Sequence, residues 1–247
     1  MSELIINLLT LNISASYLIA VFSLPFIIII IVFISQRNAY MKTDYYFDTH
    51  KPYFTMRRDT GSYGEYLIYK KLVNLKGNKK FLFNCYIPKD DGTTSEIDVI
   101  LLHSSGIYVF ESKNYSGWIF GTESQKMWTQ TLPNGTKEKF YNPLMQNNSH
   151  IKWLKHILPD VDEKIFHSII IFSERCELKK IKLTTDNHKV IKRYNLPRAI
   201  TTSSNETVLS NDMIETIYEK LYPLTQTTAE ARTAHVNTIN KRTNRVN

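Results

Sequence analysis

The chain of 247 residues has only two cysteines, Cys85 and Cys176, and they stand alone and far apart. Paired-thiol zinc and redox motifs are thereby excluded, leaving two buried thiols suited to a reducing compartment. No internal repeat is present. Basic charge is missing from the beginning of the chain: none of the 31 lysines and arginines precedes Arg37, and Glu3 is the sole acidic residue in that stretch. The start therefore lacks the basic region of a secretory signal, and no small-x-small cleavage site follows it. No charged side chain occurs from Leu4 to Gln36, and residues 17–34 are close to continuously apolar. That run predicts one transmembrane helix over about 17–35, within which Pro25 is tolerable.

What the first segment lacks, the remainder supplies. The chain's formal net charge of +8 arises beyond residue 36, where all 31 basic residues face 22 of the 23 acidic ones, which suits phosphates or anionic lipid headgroups as partners. Arg37, Lys42, Lys51, Arg57 and Arg58 crowd the C-terminal side of the apolar run. By the positive-inside rule the protein is expected in the cell membrane, single-pass, with the N-terminus outside and the C-terminal domain cytoplasmic. Residues 37–59 read as a juxtamembrane linker whose Tyr40, Tyr45 and Tyr46 lie either at the headgroups or against the domain.

The chemistry gathers in residues 96–117. Two runs rich in β-branched and aromatic residues, 97–102 and 107–110, flank His103, Ser104, Ser105 and Gly106, which reads as a β-hairpin. A four-residue loop pairs Leu102 with Ile107 and so sets Asp98 opposite Glu111. Opposed side chains have Cβ atoms about 4.5–5.5 Å apart. Two carboxylates that close repel unless positive charge lies between them, and a divalent cation with a neighbouring lysine provides it. Lys113, two residues beyond Glu111, shares its face of the strand. A metal site at Asp98 and Glu111 thus predicts one register of the hairpin.

Around the hairpin, residues 61–75 read as a helix whose apolar stripe of Ile68, Leu72 and Leu75 also includes Glu65. A carboxylate there must meet a cation, a hydrogen-bond network or solvent at the edge of the core. Residues 81–87 form a first strand. Glu96 is expected as an exposed edge carboxylate. Residues 128–132 and 136–141 flank Pro133, Asn134 and Gly135, a hairpin signal. Asn142 followed by Pro143 marks the start of a helix to about residue 158, with Ile151, Leu154 and Leu158 as its apolar ridge. Gln146 and His150 lie one turn apart on a neighbouring face, and His150 reads as structural. Residues 168–172 are a buried strand; 190–194 and 199–202 are expected as edge strands. An amphipathic helix over 211–221 is capped by Ser210.

Asp98 followed by Glu111, Ser112 and Lys113 resembles the Asp and Glu-x-Lys core of restriction-endonuclease-like, PD-(D/E)xK nucleases. Flanking residues sharpen the likeness: Gly61, Ser62, Tyr63, Gly64 and Glu65 upstream, Gly106 to Gly117 with its Tyr-Val-Phe-Glu-Ser-Lys run, then Trp128 to Gln130 and Asn142 to Asn147. Together they resemble the nuclease-related domain, the NERD family, over roughly 60–158. One departure is Ile97 before Asp98, where the family often has proline. The resemblance implies an α/β fold with a restriction-endonuclease-like mixed central sheet flanked by helices. It implies an Mg2+- (or Mn2+-) dependent (endo)nuclease acting on nucleic acid, DNA first among the candidates. It further implies Asp98, Glu111 and the Ser112 backbone carbonyl as metal ligands, Lys113 at the attacking water, Glu65 at a second ion or outer-shell water, and Gln146 beside the metal. The expected organisation is an N-terminal segment (1–36), linker (37–59), nuclease-like core (60–160), C-terminal part of the same domain (161–223) and basic polar tail (224–247). Two alternatives stay open: a non-catalytic nucleic-acid-binding module, and a membrane scaffold in which the carboxylates only pair with Lys113.

Overall fold

The structure is a computed structural model and describes residues 2–201 and 207–226. The chain divides between Phe47 and Asp48 into two compact units. The first contains helix α1, Ser2–Tyr40, whose Ala20–Tyr40 portion is long and apolar enough to cross a membrane, its apolar stretch lying unburied. At about 1.5 Å per residue that portion measures about 31 Å, close to a bilayer's hydrocarbon thickness. Tyr40, at its end, is buried and packs ring to ring with Tyr45 and Tyr46. The expected linker is largely helical, with α2 at Asp44–Thr49 and α3 at Tyr53–Arg58.

In the second unit, α4 (Thr60–Leu72) begins where the Asp59 side chain accepts the Ser62 N–H, and it stops three residues short of the expected 75. Strands β1 (Lys79–Pro88), β2 (Thr94–His103) and β3 (Gly106–Lys113) follow, then β4 (Gly117–Thr122), β5 (Met127–Thr131), β6 (Lys137–Tyr141), helix α5 (Pro143–Ile157), β7 (Phe166–Phe172), β8 (Cys176–Lys182), β9 (His188–Lys192), α6 (Leu196–Thr201) and α7 (Asn211–Leu221). Short 3₁₀ turns join some of them.

The class is mixed α/β, as expected, but the strands are shared between two mixed sheets, β1-β2-β3-β7-β9 and β6-β5-β4-β8. Each combines an antiparallel meander with a parallel addition: β3 pairs with β7, and β4 with β8, in parallel. β7 returns beside β3 after a crossover that contains β4, β5 and β6 of the small sheet and α5, as parallel pairing requires. Leu82, Ile100, Leu102, Ile107 and Val109 of the large sheet form one apolar cluster with Leu154 of α5 and Ile214 and Ile217 of α7. A second cluster joins Ile119 and Trp128 of the small sheet to Leu144, Ile170 and Phe172.

Several sequence expectations change here. β2 is flanked by β1 and β3, so Glu96 is not at an edge; it accepts a hydrogen bond from Tyr86 Oη at 2.8 Å, directly across the ladder. Residues 199–201 belong to α6 rather than an edge strand, because Leu196 and Ile200, one turn apart, both bury completely. β8 has no expected counterpart: its Glu177, Lys179, Lys180 and Lys182 hide the short apolar alternation of Leu178 and Ile181. Residue 202 and the basic tail from 227 onward lie outside the described residues. Both thiols are buried, and burial pushes the Cys85 thiol up to about 12.

Trp128 fixes how tightly the small sheet closes. A Cβ on Gly121 would fall 2.2 Å from the Trp128 ring, which itself lies parallel to the Phe172 ring with centroids 6.3 Å apart. Gly121→Ala is expected to destabilise the fold by roughly 1–3 kcal/mol, the usual cost of overpacking. A lower urea midpoint, with altered tryptophan fluorescence, checks this.

Candidate active site

The hairpin between β2 and β3 has the anticipated register, Leu102 against Ile107, extended by one further pair, His103 with Gly106, so that only Ser104 and Ser105 turn the corner. The ladder ends at Val99 opposite Phe110. One step further the same register carries Asp98 across from Glu111, but the backbones no longer pair there. Instead the Asp98 carboxylate accepts the Ser112 N–H at 2.9 Å. The backbone edge of Ser112 therefore turns towards Asp98, and its carbonyl opens to the same side.

On the other flank, β1 and β2 pair on both sides of Asn84 and Asp98 without pairing at that position. Asn84 adopts a positive φ of 49°, a conformation that asparagine tolerates better than most residues. Alternation slips there on both strands. Leu82 belongs to the same cluster as Cys85 and Ile87, and Ile97 to the same cluster as Ile100 and Leu102. Strict alternation would put Leu82 on the face opposite Cys85 and Ile87, and Ile97 on the face opposite Ile100 and Leu102. The sheet is thus distorted where Asp98 stands, and a backbone held in such a region costs on the order of 1 kcal/mol.

Helix α5 reads β3 in matching steps. Gln146 and His150 are four residues apart, a rise of about 6 Å, and Glu111 and Lys113 are two apart on a strand, about 6.6 Å. Lys113 Nζ donates to Gln146 Oε1 at 3.1 Å, and His150 Nε2 lies 3.2 Å from Glu111 Oε2. Lys113 Nζ also meets Glu111 Oε1 at 2.7 Å. Ser95 Oγ lies 2.7 Å from His150 Nδ1 behind it. His150, which the sequence alone left as a structural histidine, is therefore part of this cluster. Its spacing of four from Gln146 was the available signal.

Glu65 reaches the same region from α4 and is 7% exposed. The cation and the network demanded by its position on an apolar stripe are both found. Asn84 Nδ2 donates to Glu65 Oε2 at 2.8 Å, and Lys51 Nζ lies 3.7 Å from that oxygen while donating to Asn84 Oδ1 and Ser62 Oγ at 2.9 and 2.6 Å. Neither Lys51 nor Asn84 was expected here, since nothing in the linear sequence brings them to Glu65. Gly64 lets α4 approach β3: a Cβ there would come within 2.7 Å of Ser112 Oγ.

Electrostatics separates the two strand carboxylates. Burial raises the Asp98 carboxyl, and the charges of Glu111 and Glu65 raise it further, against which Lys113 and the Ser112 N–H offset only part. Burial also works against ionised Glu111, which is 1% exposed, but the Lys113 ammonium and the His150 ring outweigh it and hold Glu111 below the usual carboxylate range. Lys113 is likewise penalised by burial, and Glu111 more than compensates, so its pKa is raised and it stays an ammonium. Asp98, Ser112, Lys113 and Gln146 remain partly exposed, above a floor of buried Glu111, His150 and Ser95.

The donor set suits a hard cation. Among the described residues no three His, Cys, Asp or Glu side chains already converge as a ligand cluster. Magnesium, however, keeps most of its waters and binds through one or two carboxylates. Asp98, Glu111 and the Ser112 carbonyl meet that need, and the negative charge crowded around Asp98 is what a divalent ion would relieve. Zinc, which takes nitrogen and sulfur ligands, has no matching cage in this cluster.

Opposite signs follow for the two carboxylates in metal-free buffer. The folded Asp98 pKa exceeds its unfolded value, so stability falls as pH rises from about 4 towards the raised value. Asp98→Asn should therefore stabilise the neutral-pH protein, with the gain vanishing near pH 4. Glu111→Gln leaves Lys113 partly buried without its counter-charge and should destabilise by roughly 3 kcal/mol. Urea midpoints across pH 4–8 check both.

Comparison with known proteins agrees with the motif. The family described as nuclease-related domain matches residues 60–173. An uncharacterised protein of Bacillus anthracis is 32% identical over 166 residues, covering 65% of this chain and 74% of its own length. Among solved structures, Can2 from Sulfobacillus thermosulfidooxidans, in complex with cyclic tetra-adenylate, is 16% identical over 59% of this chain and 37% of its own. This chain thus spans little more than a third of Can2, and at a TM-score of 0.29 that likeness carries no argument about function. By the family match and the extent of the Bacillus likeness, the chain belongs to the nuclease-related domain (NERD) family, whose fold is restriction-endonuclease-like.

Proposed function

We propose that the protein is a membrane-anchored, Mg2+- (or Mn2+-) dependent nuclease that hydrolyses phosphodiester bonds of DNA. The observation that carries this is the meeting of Asp98, Glu111 and Lys113 at the point where the β2–β3 ladder opens, with Glu65 and Gln146 beside them. In phosphodiester hydrolysis a water oxygen bonds to phosphorus as a P–O ester bond breaks, and the departing oxygen takes up a proton. Negative charge gathers on the phosphoryl oxygens along the way. A divalent ion held by Asp98, Glu111 and the Ser112 carbonyl would supply Lewis acidity there and lower the pKa of bound water.

The protein's own groups divide the remaining work. Lys113, which Glu111 favours as an ammonium, donates to the phosphate and holds the attacking water, offsetting charge. Gln146 fixes the direction of the ammonium by accepting from it. His150 and Ser95 hold Glu111 in place from behind. Glu65, with Lys51 and Asn84, is the group for a second ion or an outer-shell water. A second reading, nucleic-acid binding without turnover, draws on one observation: both Glu111 oxygens already face Lys113 and His150.

The full chain in detergent should degrade plasmid and single-stranded DNA in Mg2+ or Mn2+ and stop in EDTA. Lys113→Ala and Asp98→Ala should each lose at least about 100-fold in rate, in line with removing a charge-stabilising group. Equal cleavage by these variants would sink the assignment. Thermal unfolding adds a readout free of turnover: a divalent ion at 100 times its Kd stabilises by about 2.7 kcal/mol, and Glu111→Gln should lose that shift. For the anchor, the apolar Ala20–Tyr40 segment and the basic residues after it support a cytoplasmic domain with the N-terminus outside. A protease added outside intact cells should then leave residues 48–247 uncut.

A further inference from the structure

The small sheet buries one face, carrying Ile119, Trp128 and Leu178, against the rest of the fold. Its other face is open. Pairing across the strands aligns two rows there, Lys137, Thr131, Trp118 and Glu177, then Lys139, Thr129, Phe120 and Lys180; beyond them Tyr141 pairs with Met127 and Thr122 with Lys182. A register shift between Ile119 and Phe120 inserts Lys179 on the same side, its Nζ 5.3 Å from the centre of the Trp118 ring. Lys137, Lys139, Lys179, Lys180 and Lys182 are exposed, and the one acid among them, Glu177, is paired with Lys179 at 2.5 Å.

Lysines along β6 and β8 would by themselves serve only to discourage pairing at the sheet edges. That explanation does not extend to Trp118, which is 49% exposed on the interior strand β4, nor to Tyr141, 45% exposed. Tryptophan and tyrosine left on a solvated, lysine-rich sheet face meet the two requirements of unpaired nucleic acid: flat plates for bases and ammonium groups for phosphates. Strand spacing and rise put Trp118 and Tyr141 roughly 16 Å apart, with Phe120 between their rows. Along the chain, Trp118 follows Lys113 by five residues, and only residues 114–116 join that end of β3 to β4.

We infer that the outer face of the β6-β5-β4-β8 sheet is a platform for single-stranded polynucleotide, with Trp118 and Tyr141 stacking bases and the surrounding lysines contacting phosphates. It extends the nuclease proposal and rests on it for the class of ligand. A platform of this kind would feed an unpaired strand towards Lys113 and give the enzyme a preference for single-stranded over duplex substrate.

The test is fluorescence anisotropy of a labelled oligo-dT with the full chain in detergent and EDTA, where binding is read without cleavage. Trp118→Ala and Tyr141→Ala should each weaken binding at least about fivefold, as losing one stacked base does, and Trp118→Phe should recover most of it. Lys139→Glu with Lys182→Glu should flatten the salt dependence by about 0.7 in the log–log slope for each phosphate no longer neutralised. Unchanged thermal unfolding of these surface variants separates lost binding from misfolding. In Mg2+, Trp118→Ala should raise KM for the oligonucleotide and leave kcat at the wild-type value. Wild-type affinity in Trp118→Ala and in the double lysine variant would overturn the platform. So would equal use of the face by blunt duplex, or binding of anionic vesicles and not oligo-dT. Cleavage by Lys113→Ala speaks only to the active site, so the two proposals can fail separately.

Discussion

A carboxylate as deeply buried as Glu111 has to be answered by charge and hydrogen bonds, and here both oxygens are met, Oε1 by the Lys113 ammonium from its own strand and Oε2 by the His150 ring from α5. The pairs His150–Glu111 and Gln146–Lys113 together require α5 to run antiparallel to β3 at a fixed height, since one helical turn must span two strand residues. The Asn142 cap, whose Oδ1 accepts from Leu144 N while its amide donates to the carbonyls of Glu123 and Gln125, sets where that helix begins. The polar end of α5 is thus tied to the small sheet, and its apolar end, through Leu154, to the large one. The cluster is rigid because every element around it has other reasons to be where it is.

Regular β structure alone does not produce the arrangement. Alternation fails at Asn84 and Asp98 together, and a side-chain carboxylate stands in for the missing backbone partner of Ser112. Local strain is tolerated because its neighbours over-determine it: Asn84 is held by Glu65 and Lys51, and Asp98 by Ser112. Such a distortion leaves Asp98 partly exposed at the break in the ladder, while Glu111 stays beneath.

How much was legible depended on how local the cause was. The hairpin register followed from alternation and a glycine-closed turn, and the α5 cap from one asparagine and one proline, all within a few residues. Glu65 announced itself as a charge on an apolar stripe, and its need for a partner was correct. Which partner was not readable, because Lys51 and Asn84 arrive through tertiary packing and through a backbone conformation that no pattern encodes. His150 was undervalued for the same reason: its meaning lies in Glu111, 39 residues away. The strand β8 and the helix α6 were missed or misassigned where charged or short segments blur periodicity, and the contacts that decide them come from other parts of the chain.

The position of Lys51 has a practical side. It precedes the first residue of the family match, at 60, yet its ammonium stands beside Glu65 and binds Ser62 and Asn84. Trimming the chain to the matched module would strip a cation from the rim of the acidic cluster and leave Glu65 more repulsive towards its neighbour Asp98. Expression boundaries chosen from family limits alone would therefore yield a different charge balance at the cluster than the intact protein has.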